Sequence, residues 1–574
     1  MPRTPVLALL IAGLAEAQGA AAQLPGDSVR VLEAARAAQS RYESVRLRHL
    51  PMTWSRSGSA RDEIVGRIAL IDDADLEEWR PDPDPVPVAA ARASLLESLA
   101  DAARELPGDG WIAGQRVFYL LEAGRPAEAL AAAQACRREG WWCRALVGWA
   151  HHVAGDFTAS ETAFAAALAG MPEEERGRWS DPEPILDRET RQLLEDAGDQ
   201  SRSELERRAW WLADPLWSLP GNDRLTEHYA RHVLDRVLED ARTPFQMGWG
   251  SDLREVLLRY GWPVGWEKTR PRTWALGGGS GDGVIGHDRP GERRFTPDAD
   301  MLVRPAESEH AAGALDDDGA RSTYAPAYAE RFLDLDHQLA VFRRDESALL
   351  VAGWSLPVES LPAGAVVDAT LVVAAGPDGP AWTVRSAVAE TSGALVVTAP
   401  WTPAVASVEA LAGKAGLAAR ARYGVPLPSP AGLRPALSDL LLLDPAEPGG
   451  PDSLAEAIPR TRGSAVVRAR GAVGLFWELY PPGGGPYEAR FSLRLRDERG
   501  GFWRGLGAAL GLADPVGRST ALEWVEPIPA GPAVVPRYLV LTLPDLPAGA
   551  YALELEVALS DSRRARAERT IIVE

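Results

Sequence analysis

The sequence predicts a multidomain chain, helical in its first half and β-rich in its second. Three observations predict it. At 574 residues the chain is too long for one hydrophobic core, so three or four domains are expected. Apolar residues recur at helical spacing over 27–50 and 88–106. From Phe332 onward the apolar period becomes two, with Gly/Pro turns every eight to twelve residues.

The composition is that of a folded protein, with 46% apolar and 25% charged residues. Acidic residues outnumber basic ones, 81 to 61, for a net charge of −20. Such a surface repels phosphate backbones and anionic lipid, which excludes nucleic acid as an expected partner. The first 22 residues read as a secretory signal: Arg3, an apolar run from Val6 to Leu14 too short to span a membrane, and Ala20-Ala21-Ala22 before Gln23. No later segment carries 18 uninterrupted apolar residues. Export is therefore expected, to the periplasm or the outer membrane, with no span left after cleavage.

Residues 23–87 form an N-terminal helical segment that ends in the Pro-spaced connector RPDPDPVPV, Arg80 to Val88. Residues 88–200 contain an internal repeat. Gly110–Gly140 and Trp141–Pro172 align 31 residues apart, Trp111 with Trp142 and Gly124 with Gly155. Small residues at Gly148 and Ala167 let two helices cross closely. Gly155 ends one helix and Pro172 stops the next. The second copy resembles a tetratricopeptide repeat, through Val147-Gly148, Phe164, Ala167 and Pro172. The resemblance implies a TPR-like α-solenoid, capped by neighbouring helices. Cys136 and Cys143 lie between the two copies. A disulfide and a pair of buried free thiols both suit that spacing.

Residues 201–274 change character. A helix, a Pro-broken turn and a second helix from about Asp223 lead to GWGSDLREVLLRYGWPVGWE. There a carboxylate at Asp252 can accept from free helix N–H groups or pair with an Arg, and Ser251 can act likewise. Leu253, Val256, Leu257 and Tyr260 share one face of the short helix, with Arg254, Glu255 and Arg259 pointing away. Gly261 and Pro263 stop it, and Trp249, Trp262 and Trp266 cover the small core. This block resembles the GWxTD domain of exported bacterial proteins. The matching residues are Trp211, Asp214, Pro215, Asn222, Glu227, Arg231, Gly248, Trp249, Ser251 in place of the usual Thr, Asp252, Tyr260, Gly261 and Pro263. The resemblance implies a structural motif and supplies no catalytic residue.

Residues 275–330 are rich in Gly, Asp and Pro and read as flexible loop. Residues 331–425 and 463–574 read as two Ig-like β-sandwich domains, joined by a Pro-rich linker, 426–462, that contains SDLLLLDP.

Chemistry-bearing candidates are sparse. His228 and His232 have a spacing that can chelate a metal, but no third ligand is near, and they read as surface or half-buried histidines. His151 and His152 face different sides of a helix and read as structural. GGGSGDG lacks the Lys-Ser/Thr ending of a phosphate loop, and Asp282 breaks G-x-S-x-G. Asp298, Asp300 and Asp316–Asp318 do not match a Ca²⁺ loop. No cofactor, metal or catalytic set is expected. The leading expectation is a non-enzymatic envelope scaffold whose helical repeats hold a protein or peptide partner. The alternatives are a glycan binder using exposed Trp, or a hydrolase with a shifted carboxylate or His in a deep polar pocket.

Overall fold

The computed structural model describes residues 26–54, 63–70, 80–270, 283–307, 321–357, 359, 361–362, 364–425, 435–445, 449–482, 486–497 and 520–574. The signal expected over 1–22, most of GGGSGDG and Asp316–Asp318 lie outside them.

The first half is helical. After α1 (Gly26–His49) come three short strands, β1 (Met52–Trp54), β2 (Glu63–Val65) and β3 (Ile68–Leu70), and then α2 (Val86–Glu105). The repeated region forms two helix pairs, α3 (Gly110–Glu122) with α4 (Pro126–Gln134) and α5 (Trp142–Val153) with α6 (Phe157–Ala169). Side-chain caps start α3 and α6. Asp109 accepts from the Ile112 N–H at 2.9 Å and Asp156 from the Ala159 N–H at 3.1 Å. Gly148 lies so close to α6 that an added Cβ would sit 2.9 Å from the Phe164 ring. Cys136 and Cys143 are bridged, their Cα atoms 5.7 Å apart.

Next come α7 (Glu173–Ser180), α8 (Arg188–Glu195), α9 (Asp199–Ala213), α10 (Asp223–Leu238) and α11 (Ser251–Tyr260). α10 begins at Asn222, whose side chain accepts from the Leu225 N–H at 2.8 Å. It lies against α3, α5 and α6. Gln115 donates to the Val237 carbonyl at 2.7 Å, Glu161 accepts from the Asn222 N–H at 2.7 Å, and the Phe164 and Tyr229 rings are 5.3 Å apart. Ile112, Val117, Leu146 and Phe164 are sealed in the same core as Val233 and Leu257. Each such side chain contributes about 1.5–3 kcal/mol on burial, so α10 is bound to the repeats by their common interior. One face of the repeats is thus covered by α10 of the same chain.

The N-terminal segment is not purely helical. β1 pairs in parallel with β4 (Gly265–Arg270), and β4 pairs with β5 (Val284–His287). Region 275–330, expected to be loop, carries β5, a short helix α12 (Ala299–Val303) and buried Phe295, Met301 and Tyr324 among its described residues.

The second half is β-rich. β6 (Arg331–Asp334), β7 (Asp336–Arg344), β8 (Ser347–Ser355), β9 (Val367–Ala374), β10 (Ala381–Val388), β11 (Ser392–Pro400), β12 (Ala404–Ala412) and β13 (Leu417–Val425) form two sheets, ordered β10-β9-β12-β13-β6 and β11-β8-β7. They enclose one core that includes Trp354, Leu371 and Val408. β14 (Ala436–Leu437), β15 (Leu441–Leu443), the one-turn helix α13 (Leu454–Ala457), β16 (Val466–Val467), β17 (Ala472–Tyr480), β18 (Tyr487–Asp497), β19 (Thr520–Ile528), β20 (Val535–Thr542), β21 (Gly549–Leu559) and β22 (Arg564–Val573) follow. They build a second pair of sheets around Trp477, Phe491 and Leu555. The described part of the supposed linker belongs to this fold. Leu440 to Leu443 are fully buried, and β15 pairs with β17. No described helix is long and apolar enough to cross a membrane.

Candidate functional site

The densest chemistry lies where the helical half meets the first sheet. β12 and β13 are buried on both faces. Val408 and Ala410 of β12 point into the core between the sheets, while Val405, Ser407 and Glu409 point to the helices. The turn after α9, Asp214-Pro215-Leu216-Trp217, docks on that second face. Arg420 donates to the carbonyls of Asp214 and Pro215 at 2.8 and 3.1 Å. Arg422 donates to those of Leu212 and Asp214, both at 2.8 Å, and lies 3.9 Å over the Trp217 ring. Glu409 accepts from the N–H groups of Trp217 and Ser218 at 3.0 and 2.9 Å. Trp211 and Trp217 stack 4.6 Å apart. Asp214, Pro215 and Trp211 of the sequence motif are therefore held by strands some two hundred residues away.

A second cluster lies behind this turn. Arg231, 4% exposed, bonds Glu227 at 2.8 Å and the carbonyls of Leu258, Arg259 and Thr323 at 2.9–3.1 Å. It thereby closes the C-terminal end of α11, where Gly261 adopts φ 87° and an added Cβ would sit 3.2 Å from the guanidinium. His152 holds the other Glu227 oxygen at 2.8 Å and meets Thr226 through Nδ1 at 2.9 Å. Burial opposes ionisation of Glu227, but Arg231 and His152 hold its carboxyl well below the usual range. Asp223 accepts from the Tyr324 hydroxyl at 2.9 Å, and burial pushes its carboxyl up to about 6. Glu292 accepts from the Thr323 hydroxyl. Burial, then the neighbouring Asp288, push the Glu292 carboxyl up to about 8.

The GWGSD segment meets the β2–β3 hairpin. Asp252 accepts from Arg67 Nε and Nη2 at 2.6 and 2.7 Å and from the Leu253 N–H at 2.9 Å. Hydrogen bonding from Arg67 holds its carboxyl well below the ordinary range. The Gly248 carbonyl accepts from Arg67 at 2.9 Å. Ser251 is exposed and makes no cap, since Gly250 occupies that position without a side chain. Arg259 departs from expectation. It is 2% exposed, bonded to Glu63 at 2.6–2.8 Å and to the Arg321 carbonyl at 2.7 Å. Val256 in turn is only half-buried, and Tyr260 reaches Glu63 at 3.2 Å. Pro263 packs on Gly286. Trp249 donates to Asp235 at 2.7 Å, and the Trp262 ring lies 6.2 Å from Trp249 and 5.1 Å from Trp266.

His228 and His232 are not surface residues: they are 0% and 3% exposed. His228 bonds the Trp179 carbonyl at 2.9 Å, and His232 stacks on the Trp179 ring. Burial drives His228 well below its ordinary value and His232 down to about 3, Arg178 and Arg254 adding to the latter. Asp298 pairs with Arg294 at 2.6 Å, and Asp300 lies in the first turn of α12. Among the described residues no His/Cys/Asp/Glu group has the geometry of a metal site, and no Trp side chain is exposed. A cleft of about 400 Å³ opens beside the cluster, lined by Val153, Asp156, Phe157, Leu219, Pro220 and Tyr328 among others. The shifted carboxyls of Asp223 and Glu292 do not line it.

Sequence reading missed Arg67, Glu63, Arg420, Arg422, Glu292 and Tyr324. Each acts across a separation that leaves no local signal. The excess of Arg in otherwise apolar strand segments, as in LAARARYGV, is the one cue that pointed to buried cations.

No family model matches the chain, and no curated protein matches it. Among solved structures it is similar to a red sea bream transglutaminase, at 11% identity over 42% of this chain and 31% of that one, with a TM-score of 0.14. It is also similar to the FN1–FN3 domains of chicken CNTN1, at 11% identity over 42% of this chain and 69% of that one, with a TM-score of 0.13. The chain thus spans about a third of the transglutaminase. Both likenesses are too distant to bear on activity.

Proposed function

We propose that the protein is a non-enzymatic scaffold of the bacterial cell envelope, exported and presenting a rigid body to a protein partner. In this reading 88–200 is a TPR-like unit closed by α10. The block 201–274 is a GWxTD domain that joins it to two Ig-like sandwiches. One observation carries the reading: the buried cations at the junction serve the fold. Arg231, Arg420 and Arg422 direct their donors at backbone carbonyls of other elements. A catalytic site instead leaves a reactive group facing an opening. The bridge between Cys136 and Cys143 supports an oxidising compartment. The glycan reading draws no support from the described Trp rings, which are packed, and the hydrolase reading none from the cleft, which is largely apolar.

Since α10 covers one face of the repeats, the partner is expected on the outer surfaces of the repeats or sheets. The test is in-cell crosslinking of the full-length chain, followed by reciprocal capture from a tagged candidate partner in the envelope fraction. A stoichiometric complex that survives reciprocal capture supports the reading. Recovery of the chain in the cytosol with both thiols reduced, or turnover of a substrate by the purified protein, overturns it.

A further inference from the structure

Arg224 is 1% exposed, yet neither Nη1 nor Nη2 has a hydrogen-bond partner, and none of the described ion pairs includes it. A buried guanidinium left so is costly, because its desolvation is repaid only by an anion or by saturated hydrogen bonding. The guanidinium carbon lies 5.8 Å from the centre of the Tyr324 ring, and the Tyr324 hydroxyl belongs to Asp223. Arg224 is not alone. Tyr328 Oη, Asp214 Oδ1 and Arg420 Nε, from the same junction, are also buried without partners. The four unpartnered groups thus comprise a guanidinium, a hydroxyl, a second cation's N–H and one carboxyl oxygen. Donors dominate, which favours an acceptor-rich guest.

The charge balance agrees. Arg224, Arg231, Arg420 and Arg422 face Asp214, Asp223, Glu227 and Glu409. Burial, with Asp223 beside it, raises the Asp214 carboxyl well above its ordinary range, which weakens the anionic side of that balance. An entrance lies alongside. The Tyr328 ring lines the cleft of about 400 Å³ while its hydroxyl is buried on the network side. Phe157, also in the cleft wall, has its ring 5.6 Å from His152 and 6.4 Å from Tyr328. Gly221, just before α10, lies so close to this wall that an added Cβ would sit 2.8 Å from the Phe157 backbone, which sets the first turn of α10 beside the cleft. The remaining wall carries the apolar side chains of Val153, Leu219 and Pro220, with Asp156 and Thr158 also lining it.

We infer that this junction binds a small apolar carboxylate, its body in the Val153–Phe157–Leu219–Pro220 cleft and its head turned inward past Tyr328 to Arg224. A planar carboxylate accepts two donors from one guanidinium, the arrangement for which Nη1 and Nη2 are free. The inference is independent of the scaffold reading. A bound acid would consolidate the junction whatever the protein docks to.

The test uses the full-length protein and thermal unfolding at constant ionic strength, with sodium chloride, acetate, phosphate and hexanoate titrated separately. Hexanoate is expected to raise the melting temperature saturably, with an apparent Kd about tenfold or more below that of acetate. Chloride and phosphate should give only their ordinary salt effect. Tyr328→Phe should weaken hexanoate by about tenfold, the value of one hydrogen bond to a charged group. Leu219→Trp, which fills the cleft from its wall, should abolish the effect while leaving the far-ultraviolet circular dichroism unchanged. Arg224→Lys serves if Arg224→Met does not fold, and should reduce hexanoate binding without abolishing it. Equal shifts for hexanoate and chloride, or hexanoate binding unchanged in both Tyr328→Phe and Leu219→Trp, would overturn the assignment. So would a crystal structure grown with hexanoate that shows only water on Arg224.

Discussion

His232 shows how a single residue sets a pH dependence. It is enclosed beside His228 and against Trp179. Its folded value near 3 lies below the ordinary 6.5. Between those two values the unfolded chain binds a proton that the folded chain does not, so stability falls as pH drops below about 6.5. Glu292 and Asp223 act oppositely. Their folded values, about 8 and about 6, are raised. Their contribution is complete at acidic pH and is lost as pH rises through those values. The histidine term is isolated by difference. His232→Phe keeps a ring on Trp179 and removes the titration. Its stability relative to the parent is expected to rise by about 1.4 kcal/mol per pH unit on going from 6.5 toward 4. Urea melts at pH 7, 6, 5 and 4 measure this, and a constant difference would contradict it. The His pair was legible as a spacing on a helix. Its burial was not, because Arg231 and Asp235 on the same helix, both usually solvent-facing types, are buried too.

At the scale of elements, the α5–α6 crossing depends on the absent side chain at Gly148. Gly148→Val drives new atoms into the Phe164 ring, already 2.9 Å from a Cβ placed there. It should cost about 1–3 kcal/mol by overpacking. Gly177 in α7 has open space around it, so Gly177→Ala should gain about 0.5–1 kcal/mol from helix propensity alone. Opposite signs in chemical denaturation are the expected outcome, and equal losses would contradict it. The helices of the repeated region were legible because their apolar period and their caps agree. α10 was legible as a helix, but its bed was not. No local pattern states that residues 223–238 lie on α3, α5 and α6. The leucines of SDLLLLDP show the converse failure. Flanking prolines suggested a linker, while four consecutive leucines, buried on both sides of a strand, carry no period at all.

For the whole molecule, Arg420 and Arg422 decide whether the two halves behave as one body. Replacing both with Met removes donors from the carbonyls of Leu212, Asp214 and Pro215 while keeping apolar volume. Calorimetry of the parent is expected to show the helical half and first sheet pair unfolding together, and the double variant to separate that transition into two. A single unsplit transition in the variant would mean that the apolar contacts of Leu212, Met301 and Val405 suffice. The α-then-β order of the chain was legible from the change of period, but its joining was not. The residues that join it are arginines inside a strand, which the eye assigns to solvent. The parallel pairing of Met52–Trp54 with Lys268–Arg270 has a temporal consequence. A ribosome adding about 5–20 residues per second needs about 10–40 s to make the 216 residues between those partners. Through that interval the nascent chain carries an unmatched strand edge, so a chaperone that shields such edges should raise its yield more than one that only slows elongation.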